Sequence, residues 1–177
     1  AEAYLNLGNI LHLNNKYEEA TKYLRKSIEL KPDLVEAKMN LERIANKLVP
    51  KWHIPMMNDN NRNNAYLEAI KLAIKGNEYV LDIGTGSGIL SMIAIDAGAK
   101  KVISCETSKP IANMAENIIS KNGYSDKVKV INKNSTELLI GKELNTKADI
   151  IISEILSSEF VGEGVQFTIF DANQRLL

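Results

Sequence analysis

An apolar run that ends in alternating glycines most constrains the fold of this chain. Residues 80–88 read Val-Leu-Asp-Ile-Gly-Thr-Gly-Ser-Gly, which places Gly84, Gly86 and Gly88 directly after a buried strand. A strand that ends in such a loop and restarts as a helix brings backbone N–H groups close to a ligand. A dinucleotide fingerprint would need its third glycine at position 89, which is Ile89. The loop therefore predicts a nucleoside ligand and favours S-adenosylmethionine over NAD, without excluding either.

Glu106 supports the same interpretation from the next strand. It follows a second apolar run, residues 102–105, and comes 18 positions after Gly88. An acidic side chain at this place can accept hydrogen bonds from both hydroxyls of a ribose. We therefore expect Glu106 and the glycine loop to hold one ligand together.

The region from residue 58 onward alternates between helical and strand patterns. The strand runs are apolar without alternation, as expected for strands that are covered on both faces. Strands that alternate with helices at this spacing predict an α/β fold, a Rossmann-like doubly wound parallel sheet with helices on both faces. The predicted strands are 79–83, 101–105, 128–132 and 148–152, and the predicted helices are 58–74, 89–97, 110–122 and 165–177.

The first third of the chain has a different, all-α pattern that resembles a tetratricopeptide repeat, whose period is 34 residues. Small Gly8 and Ala20 let two antiparallel helices approach closely. A further amphipathic helix starts at about Val35 and is typical of the helix that caps such repeats. Val49-Pro50 breaks it, so we expect a repeat domain at 1–49 and a second domain at 50–177. The positions that match the repeat are Tyr4, Leu7, Gly8, Leu11, Ala20, Leu24, Ser27 and Pro32.

Composition narrows the possible partners. Lys and Arg total 22, as do Asp and Glu, and the balance holds locally, with eight basic and seven acidic residues in 1–50. The sequence therefore has no basic lobe that could grip a nucleic acid. One cysteine and two histidines argue against a disulfide framework and against a metal site. No apolar run approaches the length of a membrane span. We therefore expect a cytoplasmic protein that binds no metal, nucleic acid or membrane.

Two glutamates follow the last predicted strand. Glu154 comes directly after the strand, at the sheet edge where ligands bind in open α/β folds. Glu163 lies nine residues later between two glycines that would let the loop fold back. Two such carboxylates can clamp a planar cation through forked hydrogen bonds. The alternative is that Glu154 caps a helix and Glu163 lies in a solvated loop.

Over residues 51–177 these motifs resemble the protein arginine methyltransferase family, most closely its branch with two methyltransferase modules. Residues 80–88 are similar to its cofactor loop, and Glu106 matches its ribose-binding glutamate. Glu154 and Glu163 match the pair that holds the substrate guanidinium in that family. The resemblance implies a class I S-adenosylmethionine-dependent methyltransferase in which these two glutamates are catalytic.

An upstream segment extends the resemblance. His53, Met56, Asp59 and Arg62 fit the family's His-x-x-Met-x-x-Asp-x-x-Arg helix. The resemblance implies that Arg62 pairs with the cofactor carboxylate and that His53 lies near the ribose or the methionine part. It also implies that Met56 lines the acceptor site. Asp82 is expected near the cofactor by the same resemblance.

The chain departs from the family pattern in two places. The family's adenine-contacting acid should fall near Thr136, so we expect Ser135, Thr136 or the backbone to make that contact, with neighbouring Glu137 as an alternative. The chain stops at Leu177, before the family's Thr-His-Trp loop and C-terminal β-barrel. We therefore expect a fragment that is inactive alone.

Together these features predict an S-adenosylmethionine-dependent protein-arginine N-methyltransferase that transfers a methyl group to a guanidinium nitrogen. The repeat region is expected to recruit protein substrates or partners. Two alternatives stay open. The chain is then either a Rossmann-like methyltransferase for a small molecule or another side chain, or a non-catalytic repeat scaffold with a vestigial cofactor-binding lobe.

Overall fold

The chain forms two compact units, Ala1–Ile54 and Pro55–Leu177. The structure is a computed structural model that describes residues 1–49, 53–156 and 164–177. Each unit has its own hydrophobic core. No helix among the described residues is long and apolar enough to cross a membrane.

The first unit is all-α, as predicted. It contains α1 (Glu2–Leu13), α2 (Tyr17–Leu30) and α3 (Val35–Leu48). A Cβ on Gly8 would lie 2.7 Å from Cγ of Leu24, and Ala20 and Leu24 are fully buried. The predicted close approach of the first two helices is therefore observed, and it depends on the missing side chain of Gly8.

The second unit is built around a parallel sheet. Its four strands lie in the order β3-β2-β1-β4 and all pair in parallel. The strand runs were predicted to within two residues at each end, but β4 begins and ends later than expected. The strands are β1 (Tyr79–Ile83), β2 (Lys101–Cys105), β3 (Val128–Ile131) and β4 (Ile150–Ser153).

Helices alternate with these strands along the chain. A short helix α4 (His53–Met57) precedes α5 (Asn60–Ala73), so the single helix predicted at 58–74 starts two residues later. A 3-10 helix, Ser135–Glu137, follows β3. The remaining helices are α6 (Ile89–Asp96), α7 (Lys109–Lys121) and α8 (Val165–Arg175).

Successive residues of each strand point to opposite faces of the sheet and belong to two separate cores. Val80, Val102 and Val128 pack with residues of α5, α6 and α7. Leu81 and Ile83 pack on the other face with residues that include Leu138, Ala172 and Leu176. The sheet is thus covered on both sides, which confirms the predicted doubly wound α/β class.

Candidate ligand site at the carboxyl edge of the sheet

The glycine loop leaves the carboxyl end of β1 in a backbone conformation that favours glycine. Gly84, Gly86 and Gly88 have φ of 76°, 55° and 83°. A Cβ on Gly84 would lie 2.6 Å from Ile155, and one on Gly88 would lie 2.8 Å from Ile119. Gly84 and Gly88 combine left-handed backbone with close packing, so only glycine fits both demands there.

Asp82 lies beneath this loop in a buried polar network. Its side chain is fully buried, and its Oδ2 accepts hydrogen bonds from Thr85 Oγ1 at 2.8 Å and Ser91 Oγ at 2.6 Å. The hydroxyl of Ser91 also contacts that of Ser104 at 2.5 Å. Burial raises the pKa of Asp82, although the bonds from Ser91 and Thr85 act in the opposite direction. Asp82 Oδ1 has no hydrogen-bond partner among the described residues.

Glu106 is hydrogen-bonded to the glycine loop. Its Oε2 accepts a hydrogen bond from the backbone N–H of Gly86 at 3.4 Å. Its Oε1 accepts from the N–H of Ser108 at 2.9 Å. The half-buried carboxylate therefore lies beside the loop, at the carboxyl end of β2.

Arg62 and Glu154 form an ion pair at the same edge. Arg62 Nη2 donates to Glu154 Oε2 at 2.6 Å, and the two side chains are only 18% and 14% exposed. Arg62 Nη1 donates to Asn63 Oδ1 at 2.9 Å, while its Nε lies buried with no hydrogen-bond partner among the described residues. The sequence assigned these two side chains to different ligands, and the structure joins them directly.

Tyr66 was not predicted as a site residue. Its ring lies 5.3 Å from the guanidinium carbon of Arg62, and its hydroxyl donates to the carbonyl of Ser153 at 3.4 Å. Burial raises the pKa of Tyr66, and the negative charge of Glu154 adds to that effect. The signal in the sequence was its spacing, since residue 66 lies one helical turn after Arg62 on α5.

The predicted adenine-side residues lie in the 3-10 helix. Thr136 donates both its backbone N–H and its hydroxyl to Asn134 Oδ1, at 3.0 and 2.9 Å. Glu137 accepts the N–H of Asn134 at 3.0 Å and so completes a capping box. Ser135 is buried. The carboxylate of Glu137, the alternative adenine contact, is therefore already used within the turn.

Asn132 ties this turn to the rest of the site. Its Nδ2 donates to the carbonyl of Glu106 at 2.7 Å and to that of Thr107 at 3.1 Å. The segment after β3 is thereby joined to the segment after β2. The glycine loop, Glu106 and the 3-10 helix consequently occupy one edge of the sheet.

Three predicted site residues remain, His53, Met56 and Glu163. His53 is buried at the start of α4, in the first unit, and Met56 is half-buried on the same helix, in the second unit. Glu163 lies outside the described residues. Among the described residues, no group of three or more His, Cys, Asp or Glu side chains is arranged to hold a metal ion.

Two protein-family models match the chain. One, described as "Ribosomal protein L11 methyltransferase (PrmA)", matches residues 63–162, and the other, the tetratricopeptide repeat, matches residues 1–34. The first model covers more than half of the chain and all four strands of the sheet. The fold and the edge site therefore define a class I methyltransferase, the class that this model describes.

Similar proteins narrow that class. "Protein arginine N-methyltransferase 9" of Mus musculus is 38% identical over 173 residues, which are 97% of this chain and 20% of that protein. "Arginine N(omega)-methyltransferase" of Streptomyces achromogenes subsp. streptozoticus is 42% identical over 135 residues, 76% of this chain and 37% of that protein. The chain thus spans about a fifth of the mouse relative's length.

A solved structure agrees with these relatives. It is the Trypanosoma brucei PRMT1 enzyme-prozyme heterotetrameric complex with AdoHcy, with a TM-score of 0.64 and 33% identity. The match covers 71% of this chain and 39% of the other. Within the methyltransferase class, this chain belongs to the protein arginine methyltransferase family, and it carries a tetratricopeptide repeat ahead of the methyltransferase fold.

Proposed function

We propose that this chain binds S-adenosylmethionine and takes part in methyl transfer to a guanidinium nitrogen of protein arginine. The observation that carries the proposal is the contact between Arg62 and Glu154. At the edge where ligands bind in open α/β folds, a half-buried carboxylate already holds a guanidinium group. This contact supports our proposal that the carboxylate of Glu154 receives a substrate guanidinium.

The unused polar atoms of the site fit S-adenosylmethionine, which has an ammonium, a carboxylate and two ribose hydroxyls. Asp82 Oδ1 is a buried acceptor and Arg62 Nε is a buried donor, neither with a partner among the described residues. Such atoms are costly to bury unless a ligand satisfies them. The Glu106 carboxylate, beside the loop at Gly84–Gly88, suits the ribose hydroxyls. We propose Arg62 for the cofactor carboxylate, and Asp82, Glu106 and the glycine loop as its other main contacts.

The cofactor supplies a methyl group on a positively charged sulfur. The protein must make a guanidinium nitrogen into an acceptor, although the group stays protonated in proteins. Glu154, together with Glu163, would hold the positive charge on the bound nitrogens and orient the remaining nitrogen toward the methyl group. Arg62 occupies Oε2 of Glu154, and the other carboxylate oxygen, Oε1, offers further acceptor sites to a substrate guanidinium.

Further residues complete the proposal. His53 is assigned to the ribose or methionine part, Met56 to the acceptor side, and Ser135 and Thr136 to the adenine side. The repeat region, 1–49, would recruit protein substrates or partners, and residues 50–177 would form the methyltransferase domain. We also propose a cytoplasmic location without nucleic-acid or membrane partners, in keeping with the single, buried Cys105.

A second acceptor, free arginine, calls for a direct test. The Streptomyces relative is named for arginine and not for a protein, and it is 42% identical to this chain over 135 residues. Free arginine offers the same guanidinium to Glu154. The repeat at residues 1–34 favours a protein acceptor, because stacked helix pairs present a surface for protein partners.

The deciding experiment is Glu154→Gln in the intact protein. Calorimetry with S-adenosylhomocysteine should show binding close to that of the unaltered protein. Methyl transfer to an arginine peptide should fall by at least about a hundredfold, because the neutral amide cannot hold the positive charge. Glu68→Gln, at an exposed position of α5, is the matched control. Methyl transfer to the peptide that survives in Glu154→Gln refutes the receptor role. Faster methyl transfer to free arginine than to the peptide by the unaltered protein identifies free arginine as the acceptor.

A further inference from the structure

Arg175, in the last turn of α8, reaches the 3-10 helix after β3. Its Nη1 donates to the carbonyl of Leu138 at 2.9 Å and its Nη2 to the carbonyl of Ser135 at 3.2 Å. These partners are 37 and 40 residues away in sequence. One guanidinium group therefore holds the turn at two points.

Asp171 aims this guanidinium. Its two carboxylate oxygens accept from Arg175 Nε at 2.7 Å and from Nη2 at 2.5 Å, one helical turn earlier on α8. The hydrogen bond from Arg175 lowers the pKa of Asp171, so the carboxylate stays ionised at neutral pH. A bidentate pair fixes the plane of the guanidinium, and the outward N–H groups then point to the two carbonyls.

The turn needs such donors. The carbonyl of Leu138 follows the 3-10 helix and has no partner within it, as is usual at a helix end. The carbonyl of Ser135 accepts from the N–H of Leu138 at 3.2 Å, and Arg175 gives it a second donor. Leu138, Ala172 and Leu176 are all fully buried in one core, so apolar packing holds α8 against the turn as well. Arg175 reaches Asp171 and the two carbonyls from three nitrogens of one planar group. Lysine at position 175 would keep the charge but would offer a single nitrogen on a flexible chain in place of that fork.

The turn also borders the ligand edge. Asn132, three residues before Ser135, is bonded to the carbonyls of Glu106 and Thr107. Glu106 is in turn bonded to the N–H of Gly86. A shift of the turn would therefore also move the residues beside the glycine loop to which it is hydrogen-bonded.

We propose that Arg175 is a positioning residue for the adenine side of the cofactor site. It acts through the backbone of residues 135–138, which it holds in place from α8 with Asp171. This inference rests on the proposed function, because it takes Ser135 and Thr136 as the adenine-side contacts. It makes α8, a helix that supplies none of the other proposed contacts, part of the determinants of cofactor affinity.

The test compares Arg175→Lys with the unaltered chain, and Arg25→Lys on the exposed face of α2 is the matched control. Calorimetry with S-adenosylhomocysteine should show a dissociation constant raised about tenfold in Arg175→Lys, the loss of one charge-assisted hydrogen bond. Its melting temperature should fall by only about 2 to 4 °C, so that the variant stays folded during the titration. The preference for S-adenosylhomocysteine over S-inosylhomocysteine, which differs only in the base, should shrink. Arg25→Lys should leave all three quantities unchanged.

The possible results separate the positioning role from the proposed function. If the unaltered chain does not bind S-adenosylhomocysteine, the proposed function fails. If it binds and Arg175→Lys binds equally well with the same base preference, the positioning role is refuted while the proposed function stands. A merely structural role would lower the melting temperature and leave the base preference intact. Should Arg175→Lys unfold, Asp171→Asn replaces it in the test. This variant keeps Arg175 but weakens the pair that orients its guanidinium, and it is judged by the same affinity and base preference.

Discussion

The helices α1–α3, called the helical unit below, and the α/β unit, Pro55–Leu177, differ in how their buried polar groups are hydrogen-bonded. In the helical unit, buried Ser27 donates to the carbonyl of Leu24, and buried Asn40 donates to Asn9. In the α/β unit, Asp82 and Arg62 each keep one buried polar atom with no partner among the described residues. Two buried polar groups of the helical unit are thus satisfied internally, while the sheet edge carries unused hydrogen-bonding capacity.

The glycines of the two regions differ in the same way, because one is needed for packing alone and the others also lie at the proposed binding site. A Cβ would collide with a neighbour at Gly8 in the helical unit and at Gly84 and Gly88 in the α/β unit. Only the last two also have positive φ. Left-handed backbone that only glycine adopts easily and a buried acceptor without a partner among the described residues, Asp82 Oδ1, therefore coincide at the glycine loop. Four measurements test this contrast.

The largest effect concerns Cys105, at the end of β2 beside the loop. Burial raises the pKa of its thiol to about 12. At pH 8 the thiolate should be scarce, so iodoacetamide should alkylate the folded chain about a thousandfold more slowly than free cysteine. Mass spectrometry with and without urea measures both rates on the single cysteine. Fast alkylation in the folded chain would mean that the interior next to the site is open.

The second effect is at the loop itself. Gly88→Ala adds a side chain at φ 83° that meets Ile119, so we expect a loss of about 3 kcal/mol in unfolding free energy. Gly123→Ala is a matched control, because its φ is 82° and its Cβ would meet no described atom within 4 Å. It should cost about 1 kcal/mol. Equal losses in urea denaturation would show that strain alone, without packing, makes glycine necessary at Gly88.

The third effect is in the helical unit. Gly8→Val drives a branched side chain into Leu24, and we expect α1–α3 to lose about 2 kcal/mol of stability. Hydrogen exchange of the amides in these helices measures it. Asn6→Val, at an exposed position of the same helix, should cost less than about 1 kcal/mol. If both variants lose the same amount, helix propensity and not the close approach explains the effect.

The smallest effect is a pH dependence of stability, which we expect from Asp82 in the α/β unit and not from the helical unit. Because burial raises the pKa of Asp82, the folded state keeps a proton that the unfolded state releases. Stability of the unaltered chain should therefore fall as pH rises from the unfolded pKa, about 3.9, toward the raised folded value, and then stay level. Asp82→Asn removes this dependence and can still accept from Ser91 and Thr85.

The measurement is urea denaturation of Asp82→Asn and of the unaltered chain between pH 4 and 8. The stability difference should move in favour of the variant as pH rises. Asp33→Asn, at an exposed position of the helical unit, sets the baseline. A difference that does not change with pH would show that Asp82 is ionised in the folded state without penalty.

Local patterns explain what was predictable. The strands at Tyr79–Ile83 and Lys101–Cys105 and the helices around Gly8 and Ala20 follow from residue periodicity and small-residue spacing. The proximity of Glu106 to the glycine loop was predictable too, since parallel strands end at one edge. Asn132 and Ser91 were not singled out, because a single polar side chain in a strand or helix pattern carries no signal of its partner.

By itself, the sequence determined the two classes of structure, the glycine loop and the residue types that we propose for a guanidinium and nucleoside site. Only the tertiary structure decided the strand order, the pairing of Arg62 with Glu154 across 92 positions, and the hold of Arg175 on the turn after β3. The physical reason is the separation along the chain of the residues that interact. Helix and strand patterns arise from neighbours within a few residues, whereas these contacts exist only after the sheet has brought distant segments to one edge.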